Sequence, residues 1–422
     1  MNDPAWINAA LISARPQAIA ALLRYFRDMD TAEEAYQEAC LRALKNWTQN
    51  GPPRDPAAWL ILVGRNAALD ATRRQRKQLP LPADDALSDL EDVEAQLVER
   101  LDGADYRDDL LRLLFVCCHP DLPATQQIAL ALRIVSGLTV KQIARAFLVS
   151  ESAMEQRITR AKACVARANL PFETPGAVER ARRLAAVATM IYLLFNEGYS
   201  ATGDTASMRF ALCDEAIRLV RLLLRLFQSE AEILGLTALL LLQHSRTAAR
   251  LDDSGQIILM EDQDRSLWNR SMIDEGLALI DKAMRHAQPG PYQVQAAIAA
   301  LHVRAATPDE TDWPQIELLY ATLERLQPSP VVTLNRAVAL AKVQGPAAAL
   351  ALIEPLAEKL AGYFYYHGVK GALLRDLGNA GQARDTYNRA IALANTAAEA
   401  AHIRLQLDRL MSDGVPPERP GR

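Results

Sequence analysis

The sequence predicts an all-α protein of several domains, and three observations carry that expectation. Ala and Leu dominate a composition that is 50% hydrophobic and only 6% aromatic, which suits helices. Strand-type alternation is hard to find, whereas apolar residues recur at spacings of three and four. A chain of 422 residues has room for two or three cores. Breaker clusters divide it into a helical block over 1–80, an acidic connector over 81–109 and a second helical block over 110–172. A long helical block over 173–412 and a frayed tail over 413–422 complete the order.

Charge has to be read by segment. The formal net charge is only −4, which taken alone argues against a nucleic-acid binder. From Asp84 to Asp109, however, eleven acids face Arg100 and Arg107, a balance of −9. The rest of the first 175 residues carries 19 Lys/Arg against 12 Asp/Glu, or +7. Two basic blocks are thus joined by an acidic strap. Taken alone, the strap reads as a solvated linker.

Other classes find little support. Cys40, Cys117, Cys118, Cys164 and Cys213 lie in apolar helical patterns and read as reduced core residues; adjacent cysteines lack the spacer of a zinc site. The N-terminal stretch has no basic leader followed by an apolar core. Leu219 to Leu242 carries Arg221, Arg225, Glu230 and Glu232, so it is not a membrane span. A cytoplasmic protein without membrane attachment, metal or cofactor is expected. The six histidines form no HExxH, and no GxSxG or phosphate-cradling glycine loop occurs, so catalysis is not expected.

The segment from Leu138 to Ala166 has the pattern of a helix-turn-helix. Thr139 is placed to cap a first helix whose buried face is Ile143, Ala144 and Phe147. Leu148-Val149-Ser150 makes the turn, and Ser150 caps a second helix. Met154, Ile158, Ala161 and Val165 give that helix one apolar stripe. Its other face presents Glu151, Ser152, Glu155, Gln156, Arg157, Arg160 and Lys162. Polar donors near the start of such a helix suit base edges, and later cations suit phosphates. An ordinary helical hairpin with a solvated basic face gives the same pattern.

Three further features lie upstream, in order. Asp28, Asp30, Glu33, Glu34 and Glu38 surround Tyr36-Gln37 on an amphipathic helix whose apolar side is read as Ala35, Leu41 and Leu44. A Pro/Gly-rich loop, Asn50 to Pro56, is flanked by Trp47 and Trp59, an arrangement suited to stacking unpaired bases. A helix from Trp59 then ends in the basic run Arg73-Arg74-Gln75-Arg76-Lys77.

The last block contains a repeat. A shift of 34 residues pairs Ala337 with Gly371, Leu340 with Leu374, Ala349 with Ala383, Ile353 with Tyr387 and Leu356 with Ala390, with Gly378 at a turn. Small residues where helices touch and large ones in the grooves match tetratricopeptide packing. Ile316, Tyr320 and Leu323 suggest a less regular copy upstream, and Asp214, Ala216, Val220 and Leu223 another.

In this order the motifs resemble the extracytoplasmic-function sigma factors of bacterial RNA polymerase. The matching residues are Asp30 to Ala39, then Pro56-Ala57-Ala58-Trp59-Leu60 through Arg65 to Arg74, then Leu138 to Lys162. Four later stretches, 192–199, 264–270, 290–298 and 329–337, resemble a long-chain subgroup with tetratricopeptide-like C-terminal helices. The resemblance implies that Asp30, Glu33, Glu34, Gln37 and Glu38 dock on core RNA polymerase. It implies that Trp59, Arg65, Asn66, Asp70, Arg73, Arg74 and Arg76 engage the opened −10 region of promoter DNA. Ser152, Gln156, Arg157, Arg160 and Lys162 would read the −35 duplex. Asn196-Glu197-Gly198-Tyr199 and Gly290-Pro291-Tyr292 are candidate contacts of the C-terminal block with a protein or peptide partner; capping and turn roles compete for both. The rival reading is a one-component DNA-binding regulator with a helical effector domain.

Overall fold

The computed structural model describes residues 5–51, 53–77, 104–147, 149–167, 177–199, 206–252, 256–394 and 396–413. Their regular secondary structure is helical, and the β pairing among them is a single isolated bridge between Leu251 and Ile257. Of the connector expected over 81–109, residues 81–103 lie outside these residues and 104–109 belong to a helix. The chain forms two compact units, Met1–Leu194 and Phe195–Arg422. The first holds both of the blocks that the sequence separates at the acidic connector.

Local signals explain the helices of the first unit. The helix Ala5–Phe26 (α1) contains Pro16. Met29–Asn50 (α2) starts at Asp28, whose carboxylate accepts from the Thr31 amide at 2.8 Å and stops where Gly51 takes φ 82°. Pro56–Lys77 (α3) starts at proline, with Asp55 Oδ1 accepting from the amides of Ala57 and Ala58 at 2.9 and 3.1 Å. These side chains satisfy amides that a helix start leaves orphaned. Ile19, Leu22, Ala32, Ala35, Ala39, Leu60 and Val63 fill the space between the three helices. The backbones of α2 and α3 come so close that a Cβ on Gly64 would stand 2.8 Å from the Ala35 carbonyl oxygen.

Ala104–Cys117 (α4) packs on α1. Its Asp109 closes the acidic strap in sequence but is buried, and it pairs with Arg24 of α1 at 3.3 Å and with Arg112 at 3.3 Å. Ala124–Ile134 (α5), Val140–Ala146 (α6) and Glu151–Arg167 (α7) follow. Cys117 and Cys118 are buried at the end of α4, and burial pushes the Cys118 thiol up to about 12. His119 accepts from the Asp121 amide at 3.2 Å, a turn role.

Ala177–Tyr199 (α8) contains the boundary between the units. The second unit continues with Ala206–Leu226 (α9) and Ala231–His244 (α10). Ten consecutive residues of α10 are buried, as expected of a helix apolar all round. It lies against Arg270–Met284 (α11) and Pro291–Arg304 (α12). Trp313–Leu326 (α13), Pro330–Gln344 (α14), Pro346–Ile353 (α15), Phe364–Asp376 (α16), Ala380–Leu393 (α17) and Ala397–Asp413 (α18) then stack as successive neighbours, consistent with a solenoid. The 34-residue register falls on matching positions. Ala337, Ala349 and Ile353 are buried in one layer, and Gly371, Ala383 and Tyr387 in the next. Gly345 and Gly378 turn the chain at φ 89° and 77°.

Candidate nucleic-acid and partner interface

The helix-turn-helix forms where its capping residues place it. Thr139 accepts from the Gln142 amide at 3.2 Å, and the Gln142 side chain accepts from the Thr139 amide at 2.8 Å, a reciprocal cap on α6. Ser150 Oγ accepts from the Ala153 amide at 3.2 Å and starts α7. Ile143, Ala144, Met154, Ile158 and Ala161 are buried between the helices, while Phe147 and Val165 are half-buried. Ser152, Gln156 and Arg160 are all exposed, and their spacing of four aligns them along one outer stripe of α7. Arg157 is half-buried on one flank of that stripe.

Lys162 lies on the opposite flank and is already engaged. Its ammonium donates to Asp30 Oδ1 at 2.7 Å and to Glu33 Oε2 at 2.6 Å, both on α2. Burial works against its charge, but these bonds outweigh burial and hold its pKa above the ordinary lysine value. The residue expected to meet phosphate therefore meets the helix expected to meet polymerase.

On α2 the structure corrects two expectations. Glu33 is not on the outer acidic face: it is 5% exposed and pairs with Arg15, Arg133 and Lys162. Leu41 and Leu44 are not inside: they are 58% and 49% exposed. The buried stripe is Ala32, Ala35, Tyr36, Ala39, Ala43 and Trp47. Asp30, Glu34, Gln37, Leu41 and Leu44 form the outer stripe instead, at spacings of four, three, four and three. Glu38 is half-buried and pairs with Arg42 at 3.0 Å.

The aromatic platform is also corrected. Trp47 is 1% and Trp59 6% exposed. Their rings meet edge-on at 5.3 Å, and Trp6 stacks on Trp47 at 6.2 Å. Trp59 is a core residue with no free face for a base. On α3, Asn66 is exposed and Arg65 is half-buried with its guanidinium over the Tyr25 ring at 5.2 Å. Asp70, Arg73, Arg74 and Arg76 lie on the backbone of α3, but their side chains fall outside the described residues.

The two C-terminal candidates hold helices in place. Tyr199 accepts from Arg246 at 3.0 Å through its hydroxyl and from Arg250 at 2.8 Å through its carbonyl, and Arg250 covers its ring at 3.6 Å. Asn196 and Glu197 are half-buried and Gly198 is buried. Pro291 opens α12, whose first amides at Tyr292 and Gln293 donate to Glu232 at 3.1 and 3.2 Å. Gly290 leaves room for that carboxylate, since a Cβ there would stand 2.2 Å from it.

Comparison with known proteins agrees with this geometry. Sigma-70 region 2 matches residues 11–78, and Sigma-70, region 4 matches residues 112–165. A family of unknown function, DUF6596, matches residues 183–284. An uncharacterized protein of Rhizobium meliloti (strain 1021) is 69% identical over 413 residues, 98% of each chain. The chain belongs to one family with that protein, and by its Sigma-70 regions 2 and 4 it is a sigma factor that directs transcription initiation.

Proposed function

We propose that this is an extracytoplasmic-function sigma factor of the long-chain subgroup, in which region 2 docks on core RNA polymerase and engages the opened −10 element while region 4 reads the −35 duplex. The exposed stripe Ser152, Gln156 and Arg160 on a capped recognition helix carries the −35 part of this reading. The outer stripe of α2 supports docking. It combines Asp30, Glu34 and Gln37 with two exposed leucines, and an acidic rim around apolar anchors suits a protein partner with a basic, partly apolar face. Asn66 and Arg65, with Asp70, Arg73, Arg74 and Arg76 further along α3, are assigned to the −10 strand. The C-terminal unit is assigned a regulatory role in cis, or a protein partner, on a tetratricopeptide-like solenoid. No described helix is long and apolar enough to cross a membrane, which fits an assignment to the cytoplasm.

Purified protein added to core polymerase is expected to initiate at a promoter that core alone cannot open. Binding of that DNA without initiation would favour the one-component regulator instead. In the same assay Gln156→Ala or Arg157→Ala should lose about 1–3 kcal/mol of promoter discrimination. Equal losses on specific and random DNA would remove base reading from these residues. Ending the chain after Tyr199 keeps α8 whole, and its promoter-specific activity should differ from that of the full chain. Unchanged output would end the regulatory assignment.

A further inference from the structure

The second unit carries a groove that neither the promoter reading nor the 34-residue repeat uses. Helices α9 and α11 both pack on α10 and hardly on each other, which leaves a furrow of about 390 Å³ over the first turn of α10. Its floor is apolar: Leu234 of α10 is fully buried, and Leu224 of α9 and Leu279 of α11 are half-buried beside it. Its walls are cationic. Arg221 and Arg225 stand on α9 and Lys282 on α11, and all three are exposed. Arg221 pairs with Glu275 of α11 and ties the two walls together. Arg225 and Lys282 have no ion-pair partner among the described residues. No carboxylate lines the furrow. The start of α10 also lacks a side-chain cap, so the positive end of its dipole lies beside the floor.

We infer that this furrow is a docking groove for an acidic amphipathic helix of a protein partner. Apolar side chains of that helix would sit on Leu224, Leu234 and Leu279, and acids on its two flanks would meet Arg225 and Lys282. Two requirements select this occupant. The leucine floor favours a ligand that brings apolar surface, which a sugar-phosphate backbone does not. Cations on opposite walls favour negative charge on both sides of the apolar seam, the pattern of a helix with one apolar stripe. A small amphiphile fits less well, because small-molecule sites enclose about 70–90% of their ligand, whereas every cation here is exposed. Unpaired exposed cations also speed the approach of an acidic partner, an effect that salt weakens. The inference rests on the assignment of the C-terminal unit to a protein partner. It places the contact on α9 to α11, ahead of the repeat layers and inside the stretch that matches DUF6596.

A synthetic helix with leucines at spacings of three and four and glutamates on both flanks is the probe, titrated into the full-length chain by fluorescence anisotropy. It should bind about tenfold or more tighter than a peptide of the same composition in scrambled order. Replacing its leucines with serine should remove the preference. Arg225→Glu with Lys282→Glu should weaken the glutamate helix by about tenfold or more and should favour the same helix carrying lysines on its flanks. Both residues are exposed and unpaired, so this double reversal should leave the thermal midpoint unchanged, and the gain of the lysine helix shows that the groove is intact. Scrambled or serine peptides that bind as well as the probe would overturn the groove. So would a glutamate helix indifferent to the double reversal. Displacement of the probe by random duplex DNA at equal concentration would make the surface a phosphate site and overturn the protein partner. None of these readouts uses transcription, so their failure strikes the groove and leaves the sigma reading to the initiation assay.

Discussion

Replacing Trp47 with alanine is expected to destabilise the first unit by about 3–5 kcal/mol, enough to unfold a marginal domain. Trp47 is among the largest fully buried side chains of the protein, held between Trp6 and Trp59 where α1, α2 and α3 meet. Its indole Nε1 is buried without a partner. The indole is therefore kept for volume and ring packing, and Trp47→Phe should cost much less, since it removes the orphaned donor along with part of the ring. Urea denaturation of both variants measures the difference. The competing role, a platform for an unpaired base, predicts the reverse: stability unchanged and single-stranded −10 DNA bound more weakly by about 1–3 kcal/mol. That outcome would place the tryptophan cluster back in the DNA interface.

The tryptophans show which parts of the site local sequence can reveal. Thr139 and Ser150 were legible because a cap is a local event: a hydroxyl, the amide three residues on, and the apolar run behind them. The helix-turn-helix and its exposed stripe follow from that alone. The register of α2 was not legible in the same way. Ranking residues by hydrophobicity turns Leu41 and Leu44 inward, whereas the structure buries Ala32, Ala35, Ala39 and Ala43. The cause is the close approach of α3 at Gly64, which admits a stripe of small residues and excludes leucine. Glu33 reads from sequence as one acid among several for a comparable reason. Lys162 and Arg133, the cations that bury it, lie more than ninety positions away and no periodicity in α2 announces them. Trp47 and Trp59 flank a loop in sequence, which suggested exposure, but the cross-helix contact between them decides otherwise.

The 34-residue repeat supports a second large effect, in the last two copies. Ala337 and Ile353 occupy the positions that Gly371 and Tyr387 occupy one repeat later, and all four are buried. In the later copy the smaller residue faces the larger one, and in the earlier copy the two belong to one buried cluster. A Cβ on Gly371 would stand 2.6 Å from Cδ1 and Cε1 of Tyr387. The ring has nowhere to retreat, since it is packed in one cluster with Phe364, Leu374, Ala383, Ala390 and Ile403. Tyr387→Ala should therefore cost about 3–5 kcal/mol by cavity formation, and Gly371→Ala about 1–3 kcal/mol by overpacking. Tyr387→Phe should be close to neutral, because the hydroxyl is buried without a partner. The double variant Gly371→Ala with Tyr387→Ile installs the pairing of the preceding copy. It should be more stable than the sum of its single changes by about 0.5–3 kcal/mol, measured as a thermal-denaturation cycle. Additive costs would mean that the two layers pack by unrelated rules and that the 34-residue register is coincidence. Positive coupling would show that each layer solves the same volume problem with a different pair, the physical content of calling the segment a repeat.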